Sequence, residues 1–120
     1  MSQPADTSPG FPPVVGSERL RLARLARQAA RRVPGVVRTD PGPMGRFVTV
    51  GGGERLEGVV CAAAKGGGYD VSLRLVCDLV PLLALGEQVR AAVQRAARVS
   101  GIALESVGVH VVALAGAQER

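Results

Sequence analysis

The sequence predicts a single small α+β domain: a helix, a three-stranded antiparallel meander, a second helix and a last strand joining the same sheet. Both helices are expected on one face of that sheet. Three observations carry this reading. From Tyr69 to Cys77 the residues alternate, with Tyr69, Val71, Leu73, Leu75 and Cys77 pointing one way and Asp70, Ser72, Arg74 and Val76 the other, the period-two signature of a half-buried strand. Behind Pro81, residues Leu82, Leu85, Val89, Ala92, Val93, Ala96 and Val99 recur at helical spacing. The run Val107-Gly108-Val109-His110-Val111 then returns to strict alternation. A chain of 120 residues has room for one modest core.

Taken in order, residues 1–16 read as a Pro-rich tail. Pro4, Pro9, Pro12 and Pro13 interrupt it, and it carries too little apolar surface to order itself. The domain is expected over 17–115, with a short tail at 116–120. Glu18 to Val33 is the first helix, capped by Ser17 and ended by Pro34-Gly35. Asp40 to Gly45 is a turn-rich connection. Arg46 to Val50 and Arg55 to Lys65 read as strands around Gly51-Gly52-Gly53, and the strand from Tyr69 follows across Gly66-Gly67-Gly68. Pro81 stands where a helix can begin without losing a hydrogen bond, and Gly101 is a left-handed stop. Val59, Cys61, Val71, Leu73, Leu75, Val107, Val109 and Val111 are expected to face the helices. Phe11, Phe47 and Tyr69 are the only aromatics, so the core is built from Val, Leu and Ala.

The charge is uneven. Residues 1–50 hold eight basic groups and three acids, whereas residues 51–120 hold seven of each, so the whole formal charge of +5 lies in the front half. Most of it sits on the first helix. There Leu22, Ala23, Leu25, Ala26, Ala29, Ala30 and Val33 form an apolar face, and Arg24, Arg27 and Arg31 form an opposing ridge flanked by Arg21 and Arg32. Only Glu18 is close in sequence to neutralise it. Like charges at this spacing repel by a few tenths of a kcal/mol per pair, which an anionic partner would relieve. Arg21, Arg24, Arg27, Arg31 and Arg32 are therefore the candidate interaction residues.

Several segments together resemble the alkaline shock protein (Asp/Gls) family of envelope stress response proteins. They are Val71-Ser72-Leu73-Arg74-Leu75-Val76, Gln88 to Val93, Ser100-Gly101-Ile102, Val107 to Val111 and, in the front half, Leu25 to Val37. The likeness spans roughly Ser17 to Leu114. The sequence departs from the family at Cys77-Asp78-Leu79-Val80-Pro81, where a Tyr-Gly pair is usual, and at Gly108, where Asn is commoner. The resemblance implies a non-enzymatic, membrane-peripheral structural or interaction domain that binds a membrane anchor protein and associates with itself. It further implies a cytoplasmic location against the inner face of the cell membrane. An anionic membrane surface is a further candidate partner for the arginines, since each basic residue near one can contribute about 1 kcal/mol.

Other chemistries find little footing. His110 is the sole histidine and lacks the companions of a general base or zinc site; no metal or cofactor is expected. With Gly66 to Gly68 closing a hairpin, Cys61 falls opposite Leu73 and about 14 Å from Cys77 along the strand, beyond the ~7 Å limit for a disulfide. Both cysteines are expected as free thiols in a reducing compartment. The triglycines precede strands rather than a helix N-terminus, so they are turns and not phosphate cradles. The alternative reading is a small basic, KH-like nucleic-acid-binding domain, because Gly42-Pro43-Met44-Gly45 spells GXXG. That loop should join two helices and here precedes a strand. No stretch approaches the ~20 apolar residues of a membrane span, and Met1 to Ser17 has neither the basic residues nor the apolar stretch of a targeting segment.

Overall fold

The computed structural model describes residues 13–115. It is a small α+β domain with two helices, a mixed four-stranded sheet and a separate two-stranded hairpin. The elements run α1 (Pro13–Arg31), β1 (Val36–Thr39), a short 3-10 turn (Pro43–Gly45), β2 (Val48–Gly51), β3 (Glu54–Glu57), β4 (Val59–Ala63), β5 (Tyr69–Cys77), α2 (Leu82–Val99) and β6 (Leu104–Leu114).

β5 organises the sheet. Its burial alternates along most of its length, with Tyr69, Val71, Leu73, Leu75 and Cys77 all buried. On one edge it carries β6 in parallel along its whole length, as the helical crossover through α2 requires. Its other edge is shared. β4 pairs antiparallel with Tyr69 to Leu73, and β1 pairs antiparallel with Leu75 to Cys77. Arg74 is the joint between them: its N–H donates to the Gly58 carbonyl and its carbonyl accepts from the Asp40 N–H. One core cluster joins this odd-numbered face to Leu22, Ala23, Ala26 and Ala30 of α1 and Leu85, Val89, Val93 and Ala97 of α2. Val59, Cys61 and Val107 belong to the same cluster, and Val109 and Val111 pack against it.

The structure departs from the expected arrangement in five places. A four-residue strand, β1, occupies the stretch after Gly35, for which the sequence pattern predicts no element. The stretch Arg55 to Lys65 is not one strand. It breaks at Gly58, so β2 and β3 form their own two-stranded sheet and only β4 continues into the main one. The break has a steric cause: Gly58 has φ +82°, and a Cβ there would stand 2.5 Å from Thr39 Cβ and 2.6 Å from the Asp40 nitrogen. Only glycine lets β1 and the β3–β4 corner approach this closely. Cys61 lies opposite Val71, not Leu73, because the tight loop uses residues Ala64 to Gly68; this moves Cys61 still further from Cys77, and both are free and buried. Finally, α1 begins at Pro13 and ends at Arg31, so Ser17 lies inside the helix rather than capping it, and β6 is longer than the Val107–Val111 run. The remainder of the expected tails, residues 1–12 and 116–120, lies outside the described residues.

Candidate interaction surface

The five candidate arginines, Arg21, Arg24, Arg27 and Arg31 of α1 and Arg32 just past its end, do not form one ridge. Arg24 grips the hairpin in a fork, with Nε donating to Glu54 Oε1 at 3.2 Å and Nη2 to Oε2 at 2.7 Å. This bond raises the Arg24 pKa and holds the Glu54 carboxyl below its ordinary range. Arg27 Nε donates both to Thr39 Oγ1 at 3.2 Å and to the Glu57 carbonyl at 3.0 Å, stitching α1 to β1 and β3 at once. Two of the expected ridge residues thus hold the fold together. Arg21, Arg31 and Arg32 are exposed. Glu18, expected to neutralise the ridge, instead accepts a hydrogen bond from the Tyr69 hydroxyl at 3.0 Å. Burial first, and that bond second, raise the Tyr69 pKa.

Arg32 lies at the edge of a groove between the helices, and sequence reasoning did not find that groove. Leu25, Ala29 and Val33 of the α1 side face Ala92, Ala96 and Val99 of α2 across a space of about 660 Å³, with Arg32, Arg95 and Gln88 among its lining residues. The helices leave this space because small residues line it: alanine at 29, 91, 92 and 96 leaves a shallow trough where leucine would have filled it. Val99 is 81% exposed although it lines an apolar surface. Every charged residue lining the groove is an arginine. The wheel pattern had placed Leu25 and Ala29 on the buried face, and both are only partly buried; that incomplete burial is the trace the groove leaves.

On the other face of the sheet a second polar cluster surrounds the Arg74 joint. Arg74 Nη2 lies 3.5 Å from Asp40 Oδ2, and its guanidinium carbon stands 5.6 Å from the centre of the Phe47 ring, within range for a cation–π contact. Its buried Nε has no acceptor among the described residues. The Gly42 N–H donates to Asp40 Oδ2 at 3.0 Å, and a Cβ on Gly42, whose φ is +74°, would meet Arg74 Nε at 3.1 Å. The GXXG segment is therefore a turn between β1 and β2 that folds over Arg74. His110 is exposed on this face, level with Arg74, and Ser106 Oγ donates to Asp70 Oδ1 at 2.6 Å.

No group of three or more potential metal ligands occurs among the described residues, and none of their helices is long and apolar enough to cross a membrane. Comparison with known proteins gives no matching family model, no matching curated relative and no matching solved structure.

Proposed function

We propose that this chain is a non-enzymatic interaction domain of the envelope stress response, peripheral to the inner face of the cell membrane, which binds a membrane anchor protein and associates with itself. The resemblance of residues 17–114 to the alkaline shock family motivates the reading, and the α1–α2 groove supports it. An apolar trough whose charged lining residues are all arginines complements one kind of segment: an amphipathic helix with an apolar stripe and acidic flanks. In this reading Arg32 and Arg95 pair with acids of the anchor, Arg31 and Arg21 extend the positive field along α1, and the alanines admit the partner's larger apolar side chains. The KH-like alternative is the weaker one, because the Gly42 N–H that would have to meet a nucleic-acid backbone is engaged by Asp40.

Membrane fractionation tests this. The wild type should sediment with native membranes and be released by high salt, as an exposed electrostatic contact requires. A triple variant Arg31→Gln, Arg32→Gln, Arg95→Gln, folded by circular dichroism, should remain in the supernatant. Ala96→Glu, which places an acid on the floor of the groove, should do the same while barely changing net charge. Binding of wild type and Ala96→Glu alike to anionic lipid vesicles would mean that lipid, not an anchor helix, is the partner. Unchanged sedimentation of the folded groove variants would refute the reading.

A further inference from the structure

We infer that β6 is a self-pairing edge, through which two copies of this chain join their sheets across a two-fold axis at Val109. The inference rests on the proposed self-association and locates it away from the arginine groove.

β6 pairs with β5 on one side, and among the described residues no strand lies against its other edge. Such an edge is a template for another strand, and proteins that avoid pairing place Lys or Pro along it. β6 has neither; its only acid or base besides His110 is Glu105. Its register with β5 shifts near each end, at Glu105 and at Val112, which leaves Ser106 to Val111 unbroken. The contact is thereby limited to the middle of the strand.

That middle is close to its own mirror. Read outward from Val109, Val107 matches Val111 and Leu104 matches Leu114. An antiparallel pairing centred on Val109 sets Val109 opposite itself and Val107 opposite Val111, all on the helix-covered face. On the open face it sets His110 opposite Gly108, so an imidazole meets a residue with no side chain. Shifting by one residue would place helix-side valines against the open face.

The charges of α2 agree with this axis. α2 packs on β6 and runs in the opposite direction to it. Glu87, the one acid of α2, lies near its start, where Arg90 of the same helix stands 3.4 Å from it, and Arg95 and Arg98 lie in its last turns. Arg98 lines the shallow surface beside Leu104 at one end of β6. A two-fold axis through Val109 brings the Glu87 end of one α2 alongside the Arg98 end of the other. Residues 1–12 are the poorer occupant for this edge, since Pro4, Pro9 and Pro12 lack the N–H groups a ladder needs. A ladder of five pairs is about 17 Å long and by itself falls short of the ~1,000 Å² of a specific interface. The helix ends add to it, and the expected dissociation constant is on the order of micromolar.

Sedimentation velocity on the full chain over a wide concentration series tests the inference. Wild type should pass from monomer to dimer. His110→Glu places two acids diagonally across the axis and should weaken the dimer roughly fivefold to tenfold. Adding Gly108→Lys restores it, because each Glu then faces a Lys of the other copy; Gly108 has an ordinary φ, and a Cβ there meets nothing closer than 3.5 Å. Val109→Cys should form an intermolecular disulfide with oxidised glutathione, since paired Cα atoms at ~4.5–5.5 Å fall within disulfide range. The groove variants Arg32→Gln and Arg95→Gln should still form the dimer. A wild type that stays monomeric at every concentration, as it would if another part of the chain covered the edge, overturns self-association and this interface together. A dimer unchanged by His110→Glu and unlinked through Val109→Cys overturns only the interface.

Discussion

Arg27 and Arg31 stand four residues apart on α1, carry the same charge and looked equivalent in the sequence, yet replacing them with Gln should give different results. Arg27 Nε holds Thr39 Oγ1 and the Glu57 carbonyl, and Thr39 is only 6% exposed. A hydrogen bond to a charged group is worth ~1.5–3 kcal/mol when buried. Arg27 itself is half-buried, which lowers that figure, while leaving the buried Thr39 Oγ1 without its Arg27 donor raises it. The net expectation for Arg27→Gln is ~1–2 kcal/mol of lost stability, or a fall of very roughly 5–10 °C in Tm for a domain of this size. Arg31→Gln, at an exposed position, should stay within about 0.5 kcal/mol of wild type. Urea denaturation followed by circular dichroism measures both. A double-mutant cycle with Thr39→Val isolates the shared part, which should appear as a positive coupling energy of about 1 kcal/mol. Equal losses for Arg27→Gln and Arg31→Gln, or no coupling to Thr39, would refute the assignment of Arg27 to the fold rather than to a partner.

Two further outcomes concern the β3–β4 corner and the buried thiols. Gly58→Ala combines an unfavourable φ with a Cβ 2.5 Å from Thr39, so it should cost upward of ~2 kcal/mol by thermal denaturation, whereas Gly53→Ala, with nothing within 4 Å, should suffer only the smaller cost of its φ of +79°. Burial pushes the Cys61 thiol from 9.0 up to about 11. The folded state then disfavours the thiolate, so the stabilisation is whole below pH 9 and is lost as the pH rises toward 11, by a few kcal/mol at most. Tyr69 and Cys77, both raised, act in the same direction. Denaturation midpoints measured across that range should fall, and fall less in Cys61→Ala.

What the sequence disclosed followed how local each signal was. β5 and α2 were legible because nine and eighteen residues give a period room to repeat, and because Pro81 and Gly101 mark the ends of α2. β1 was not, since four residues between Pro34-Gly35 and Asp40-Pro41 show too little alternation to separate from a loop. The break at Gly58 was hidden for a different reason. A single glycine in an apolar run is compatible with a continuous strand, and only the approach of Thr39, nineteen positions away in the chain, makes it a corner. The arginines divide along the same line. Their charge and spacing were visible, but the acceptors that capture Arg24 and Arg27 lie twelve residues downstream on β1 and thirty downstream on the hairpin, and nothing on the helix itself marks which arginines fold back. The groove depended on the angle at which two helices meet, which alanine content suggests only in retrospect.

The sharing of β5 among β1, β4 and β6 has a consequence for how the chain comes together. Of the pairings made by β5 only that with β4 is local; β1 and β6 reach β5 across 35 to 41 residues of chain, and until Leu73 and Leu75 are in place neither has a surface to add to. The hairpin of β4 and β5 is thus the natural starting template, and the two ends of the chain are recruited to it afterwards at the entropic cost of closing long loops. The β2–β3 hairpin stands outside this order. It forms no ladder with the main sheet and is held to it by Leu56 in the shared core and by the Thr49 hydroxyl on the Val59 carbonyl. The hairpin is thus joined to the rest of the domain by side chains rather than by a backbone ladder, and Arg24 and Arg27 supply its polar ties to α1.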